Sequence, residues 1–293
     1  MAIKIIADAV SNLYKDILEN KKLDVKIMNV CLRVEDKEYR VYDDIEDVHE
    51  FSKSYYKMMK EGKKFQTSLV STGEYYEAFK EEVTKGNNVI CFTMAAGISG
   101  TYQSACIARD MINNACKENR VAVIDCMTAG LGEGLQVIHA YELTKQDKPF
   151  EELVKELEEY KHYVRSDFTV DDIKFLLKTG RVMKTLARFA NFLNIKILLK
   201  RNEHSKIAYA GHAKGKEKAI NQLVKTVIDN INNEIEQTVY ITHCDVIDQA
   251  NQIKKELENN GIKNIEIYDY DIISGAHIGP GSIAVFYIAK EQY

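Results

Sequence analysis

The 293-residue chain has no apolar run long enough to span a bilayer, and its N-terminus, M-A-I-K-I-I-A-D, opens on a strand pattern instead of a signal peptide. A cytoplasmic location is therefore expected. Its six cysteines include no C-x-x-C pair. Cys91, Cys106, Cys126 and Cys244 lie in or beside apolar segments, so buried free thiols are expected. There is no G-x-x-x-x-G-K-[ST], which argues against nucleotide phosphates held in the Walker manner. No H-E-x-x-H or Cys/His cluster has metal-ligand spacing, and no repeat or low-complexity tract suggests a scaffold. A net charge of -4 speaks against nucleic acid as a main partner.

What is present is an ordinary globular composition, 45% hydrophobic and 29% charged, in a length sufficient for two α/β domains with separate cores. Strand and helix patterns alternate throughout. Strands are expected at 3–7, 89–94, 121–125, 164–170, 195–199, 205–210, 239–243, 265–270 and 282–289, with a hairpin of 25–34 against 38–41. Helices are expected at 45–60, 74–85, 101–116, 132–145, 150–163, 214–231 and 245–260, with a short one ending at 178. A boundary near Lys161 would give domains of 1–161 and 162–293.

The stretch that organises the rest is V-I-C-F-T-M-A-A-G-I-S-G-T-Y-Q-S-A, residues 89–105. An apolar strand meets Gly97 and Gly100, and a helical pattern starts at Thr101, so it reads as strand, tight turn, helix. The first N–H groups of a helix lack internal partners and sit at the positive end of its dipole, which suits an anion. Ser99 and Thr101 add hydroxyls there, although Ser99 reads equally as a plain N-cap. Asp8 ends the first strand. It is either a site-lining carboxylate, since open α/β sheets bind ligands beyond strand carboxyl ends, or a turn residue. Thr67, Ser68, Ser71 and Thr72 cluster ahead of another helix. T-A-G-L-G-E-G, residues 128–134, lacks the spacing of a dinucleotide site and is expected to let a helix approach the sheet closely.

In the second half, Val182, Leu186, Phe189 and Leu193 recur at helical spacing, widened by Met183, Ala187 and Ala190. This stripe is either core or ligand wall. His277 lies in S-G-A-H-I-G-P-G, where Gly275, Gly279, Pro280 and Gly281 predict a turn, and its charge is expected to change near physiological pH. Residues 178–218 hold eleven Lys or Arg against Glu203 and Glu217, a local balance of +9. Such a run is a solvated face or a docking surface for an acidic or phosphate-bearing partner.

Seven segments in one order resemble the DegV family, bacterial fatty-acid-binding proteins that serve as lipid-carrying subunits of fatty acid kinase. They are I-K-I-I-A-D-A-V-S-N-L (3–13), T-S (67–68) ahead of G-E-Y-Y-E-A-F, G-I-S-G-T-Y-Q-S-A (97–105), V-I-D (123–125), L-L-K-T-G-R-V (176–182), L-N-I-K (193–196) and H-I-G-P-G (277–281). The resemblance implies two α/β domains, the N-terminal one mainly parallel and the C-terminal one mixed, with the ligand between them. It implies a long-chain fatty acid bound non-covalently, its carboxylate held by Thr67, Ser99, Gly100 and His277. Asp8, Ser68, Thr101 and Arg181 would line the site, while Val182, Leu186, Phe189 and Leu193 would wall the acyl chain. No metal, no cofactor beyond the bound fatty acid and no catalytic machinery is expected. The expected partner is an ATP-dependent fatty acid kinase that makes an acyl phosphate for lipid synthesis, with transient contact to a membrane surface. Lys196, Lys200 and Arg201 are the docking candidates for that enzyme.

Some positions depart from the family pattern. Val70 stands where relatives carry proline, which would loosen the T-S loop, and Ala95, Ala96, Ala9 and Val10 replace hydroxyls, which would make the head-group site drier. A different class is also open, a serine hydrolase of acyl esters. G-I-S-G-T at 97–101 is one residue short of G-x-S-x-G, and His277 would be its base with Asp245 or Asp271 as orienter.

Overall fold

The computed structural model describes residues 2–116, 120–190 and 194–293. In chain order its elements begin with β1 (Ile3–Asp8), α1 (Lys15–Asn20), β2 (Val25–Met28), β3 (Cys31–Val34), β4 (Lys37–Arg40), α2 (Val41–Asp44) and α3 (Val48–Lys60). Next come β5 (Phe65–Thr67), α4 (Thr72–Thr84), β6 (Asn88–Thr93), α5 (Thr101–Ala115), β7 (Val121–Asp125), α6 (Leu131–Thr144) and α7 (Phe150–Tyr160). The remainder is β8 (Val164–Val170), α8 (Lys174–Thr179), β9 (Ile195–Arg201), β10 (Ile207–Lys214), α9 (Lys216–Asn230), β11 (Val239–His243), α10 (Ile247–Asn259), β12 (Ile265–Asp269), α11 (Ile272–Ile278) and β13 (Ile283–Ile288).

The chain forms two compact units. The first comprises Met1–Arg33, Lys37–Glu46 and Thr67–His162, the second Val34–Asp36, Asp47–Gln66 and Tyr163–Tyr293. The expected N-terminal domain ran unbroken over 1–161, whereas here α3 goes with the second unit. The reason is its aromatic face. Tyr55 donates its hydroxyl to Ile272 O at 3.0 Å, and Tyr56, fully buried, lies against Gly275.

The first unit is built on a parallel sheet of order β2-β1-β6-β7. Its central strands, I-K-I-I-A-D and N-V-I-C-F-T, are almost continuous apolar runs because helices cover both faces. α4 and α5 pack together and against β6, while α6 and α7 pack together, α6 against β1 and α7 against β7. The glycine-rich start of α6 permits the close approach expected of it. A Cβ on Gly134 would stand 2.5 Å from Ser11 O.

The second unit carries a mixed sheet of order β10-β9-β8-β13-β11-β12, in which β11 and β12 are parallel and the other pairs antiparallel. Leu223 and Val227 of α9 and Ile253 and Leu257 of α10 bury against Ile241 and Val285 of the sheet. A small sheet, β4-β3-β5, completes the strands.

Three local expectations are corrected. The run 25–34 breaks at Asn29, whose side chain accepts the Tyr42 N–H at 3.0 Å, so β2 joins the parallel sheet and only β3 and β4 form the hairpin. The stripe from Val182 gives a 3-10 segment, Lys184–Phe189, instead of a full helix. Among the described residues of the stripe, 182–190, only Val182 and Leu186 are buried, while Met183 is 61% exposed, so this part of the apolar face is too narrow to dock a full helix. His277 lies in the last turn of α11 and not in a loop.

The Tyr56–Gly275 approach predicts the stability of this arrangement. A Cβ on Gly275 would lie 2.3 Å from Tyr56 Oη. Gly275→Ala should lower the unfolding free energy by about 1–3 kcal/mol in urea titrations, and Tyr56→Phe should recover part of that loss when the two are combined.

Candidate functional site

In the first unit the sheet brings two carboxylates to one turn. β1 and β7 flank β6, and each ends in aspartate. Asp8 Oδ2 accepts the Met94 N–H at 3.1 Å and its Oδ1 accepts the Val10 N–H at 2.8 Å. From the other side, Asp125 Oδ1 accepts the N–H groups of Ala96 at 3.1 Å and Met127 at 2.9 Å, while Thr128 O accepts that of Ala95 at 2.8 Å. The backbone between β6 and α5 is thus anchored through three consecutive amides. Alanine at 95 and 96 removes hydroxyls but leaves these amides in use.

Beyond the anchor, the N–H groups of Ile98 and Ser99 turn back to Ala95 O at 3.1 and 3.2 Å. Ser99 Oγ donates to Thr101 Oγ1 at 3.1 Å and accepts the Thr101 N–H at 3.2 Å. Gly100 occupies the N-cap position without a side-chain cap, so Ser99 sits one residue before the cap. The start of α5 keeps the outward amides and positive dipole end of a helix N-terminus.

The T-S loop is held as firmly, by other means. Thr67 ends β5, half-buried. Ser68 is clamped to Cys31, donating its N–H to Cys31 O at 2.9 Å and accepting the Cys31 N–H on Oγ at 3.0 Å. Val70, in place of proline, is fully buried, and Ser71 with Glu74 forms a capping box at the start of α4. Burial and capping therefore supply the rigidity that proline would have given. Leu69 then reaches across to the turn, its Cδ2 lying 3.3 Å from where a Cβ on Gly100 would be. The Thr67 loop and the Ser99 turn meet at the starts of neighbouring helices.

Asp8 is completely buried, and burial raises its pKa to about 6 although the two backbone hydrogen bonds pull it down. It braces the turn from below, enclosed by protein.

In the second unit, Asp271 caps α11 by accepting the Ser274 N–H at 2.7 Å. After His277 the chain turns through Gly279 and Gly281, both at positive φ. A Cβ there would lie 2.4 Å from Phe175 and 2.7 Å from Asp171, so H-I-G-P-G needs its glycines. Burial, and then the positive charge of Arg181, push the His277 imidazole down to about 4. It is neutral at physiological pH, contrary to the expected change of charge there. Arg181 donates Nη1–H to Thr179 O at 2.6 Å. Val182 and Leu186 are buried, and Phe189 stacks on Tyr209 with ring centroids 5.9 Å apart. Leu193 lies outside the described residues.

Two of the three docking candidates are corrected. Lys196 is buried in an ion pair with Asp171 at 2.7 Å, and Arg201 is buried with its guanidinium over the Tyr293 ring at 3.8 Å. Lys200 remains exposed. Among the described residues no group of three or more His, Cys, Asp or Glu could hold a metal ion, and no helix is long and apolar enough to cross a membrane.

A family model described as an uncharacterised protein of the DegV family matches residues 2–290. This chain belongs to the DegV family. A DegV domain-containing protein of Clostridium perfringens is 30% identical over 98% of each chain, and one of Clostridium acetobutylicum 31% identical over 98% of this chain and 99% of the relative. Among solved structures, a fatty-acid-binding DegV protein of Thermus thermophilus superposes with a TM-score of 0.84 at 23% identity, covering 99% of this chain and 100% of the other. The Fatty Acid Kinase (Fak) B3 protein of Streptococcus pneumoniae, loaded with linoleic acid, superposes with a TM-score of 0.82 at 19% identity, covering 98% and 99%.

Within this DegV chain, Asp125 and Leu69 were not anticipated as parts of the site. The signal for Asp125 was available, since I-I-A-D and A-V-I-D both end an apolar strand in aspartate. Leu69 left none, because its role depends on which glycine it meets.

Two titrations follow. Asp8 keeps a proton in the folded chain that the unfolded chain has released, so its contribution to stability falls as pH rises from 3.8 to about 6. Asp8→Asn should remove this dependence: between about pH 4 and pH 7 the variant should gain on the order of 3 kcal/mol relative to wild type in urea titrations. For His277, the C2 proton should titrate near pH 4 in NMR spectra, and Arg181→Gln should raise that midpoint. A wild-type midpoint near the ordinary 6.5 would contradict the buried imidazole.

Proposed function

We propose that this DegV protein binds a long-chain fatty acid non-covalently and presents its carboxylate to an ATP-dependent fatty acid kinase for acyl-phosphate formation, feeding lipid synthesis. The observation that carries the reading is the meeting of the Thr67 loop and the Ser99 turn, each rigidly anchored, at the starts of α4 and α5. Hydroxyls, outward amides and two dipole ends at one place suit a carboxylate. His277, a neutral donor, and Arg181 are the residues of the second unit assigned to the head group. The fatty acids bound by the Thermus thermophilus and Streptococcus pneumoniae proteins agree with this ligand class.

Magnitudes divide the work. Burying about 14 methylenes at ~0.8 kcal/mol each contributes on the order of 11 kcal/mol before the costs of binding. A charge-assisted hydrogen bond nets about 1.5–3 kcal/mol. The chain supplies affinity and the head group supplies orientation, which suits a carrier. The hydrolase reading finds less support. Of the two candidate orienters, Asp245 pairs with Lys60 at 2.8 Å and Asp271 caps its own helix.

Fatty acid titrated into delipidated protein should bind saturably, and Thr67→Val combined with Ser99→Ala should weaken binding about tenfold or more. No saturable binding would overturn the function, and binding unchanged in the double variant would overturn the head-group assignment. Lys200→Glu should weaken association with the kinase in a pull-down of purified proteins. Arg201 is unsuited to that test, because reversing it would disturb the Tyr293 stack.

A further inference from the structure

The carboxyl ends of β11 and β12 carry polar groups that the fatty-acid reading does not use. His243 closes β11, Asp269 closes β12, and the two are register partners in the parallel pair. Such strand ends are where α/β sheets take ligands. α3 contributes the next groups: His49 Nδ1 is hydrogen-bonded to Asp269 Oδ2 at 2.5 Å, and Ser52 Oγ shares its proton between His49 O at 3.0 Å and Asp269 Oδ1 at 3.2 Å. Beside them is a cavity of about 230 Å³ whose lining includes His49, Lys53, His243, Asp248, Gln249 and Asp269.

Asp269 is engaged on both oxygens, and Asp245 is paired with Lys60. Two sets of donors are left over. His243 is 4% exposed and its Nδ1 has no hydrogen-bond partner, Asp269 Oδ1 lying 3.8 Å away, beyond bonding distance. α10 starts without a side-chain cap. The Gln249 and Ala250 N–H groups turn back to Val246 O, so those of Ile247 and Asp248 head the helix as outward donors. Lys53, whose ammonium lies 3.9 Å from Glu50 Oε2, is the lysine of the lining, and Asp248 is the acid there besides Asp245 and Asp269. Among the described residues no group of three or more His, Cys, Asp or Glu could hold a metal ion, so a metal is disfavoured here.

We propose that this cavity binds a small oxyanion, carboxylate or phosphate, through His243 Nδ1, Lys53 and the first amides of α10. The site lies wholly within the second unit and does not depend on the fatty-acid reading. Burial holds the His243 pKa down and His49 adds to this, while Asp269 and Asp245 pull it up. An anion at Nδ1 favours the protonated ring, so affinity should rise as pH falls through and below the ordinary histidine range, toward the lowered pKa of the free protein.

The test is an NMR titration of ¹⁵N-labelled full-length protein with inorganic phosphate, and in parallel with acetate, on either side of that range. Saturable shifts of the Ile247 and Asp248 amides and of the His243 ring are expected. They should weaken about tenfold or more in His243→Gln and several-fold in Lys53→Ala, an exposed position whose variant serves as a folding control. Saturation by only one probe would support the site and assign the oxyanion's shape. Absence of saturable shifts, or shifts of equal strength in both variants, would overturn it.

Discussion

The first unit depends on one arrangement, two aspartates at the ends of neighbouring strands holding the backbone between them. Asp8 and Asp125 take the amides of Met94 and Ala96 from opposite sides of β6. A turn between a strand and a helix has no ladder partner for its N–H groups, so its acceptors come from the strands beside it. Asp8 illustrates the energetic tension. Its burial opposes ionisation, while the hydrogen bonds that make it useful favour the charged form. The Ser99 turn and the Thr67 loop are therefore held rigid by internal partners while the first turn of α5 keeps its outward amides, and a ligand arriving there would meet a site already formed.

The second unit uses packing for the same end. Tyr55 and Tyr56 of α3 brace α11, Asp271 caps it, and glycines at 279 and 281 fit where side chains would strike Phe175 and Asp171. His277 is thereby fixed in a poorly hydrated position near a positive charge, which keeps it neutral. A neutral imidazole can donate to a carboxylate oxygen without the desolvation cost of a buried cation.

Much of this was legible in the sequence. Every strand of the parallel sheet except β2 matched its apolar run closely, because a strand buried on both faces needs nothing else to mark it. The S-G-T turn was readable because glycines interrupt two different periodicities there. Other features were less visible for physical reasons. α3 shows a regular amphipathic pattern, but a pattern does not say which core receives it. Lys196 and Arg201 belong to a basic run, yet their burial depends on Asp171 and Tyr293, distant in sequence. His277 looked like a loop residue because glycines surround it, while the cap that makes α11 a helix lies six residues earlier at Asp271. Val70 seemed a weakness for want of proline's fixed dihedral, and its burial is a tertiary fact.

The central claim is that this scaffold holds a free fatty acid by its carboxylate, and native mass spectrometry of the protein as purified, followed by denaturation, tests it most directly. The account predicts a stoichiometric added mass that leaves on denaturation and proves to be a free fatty acid, its length and unsaturation giving the specificity. An added mass that stays on the Ser99 peptide, or a chain that carries no lipid even after incubation with fatty acid, would contradict it.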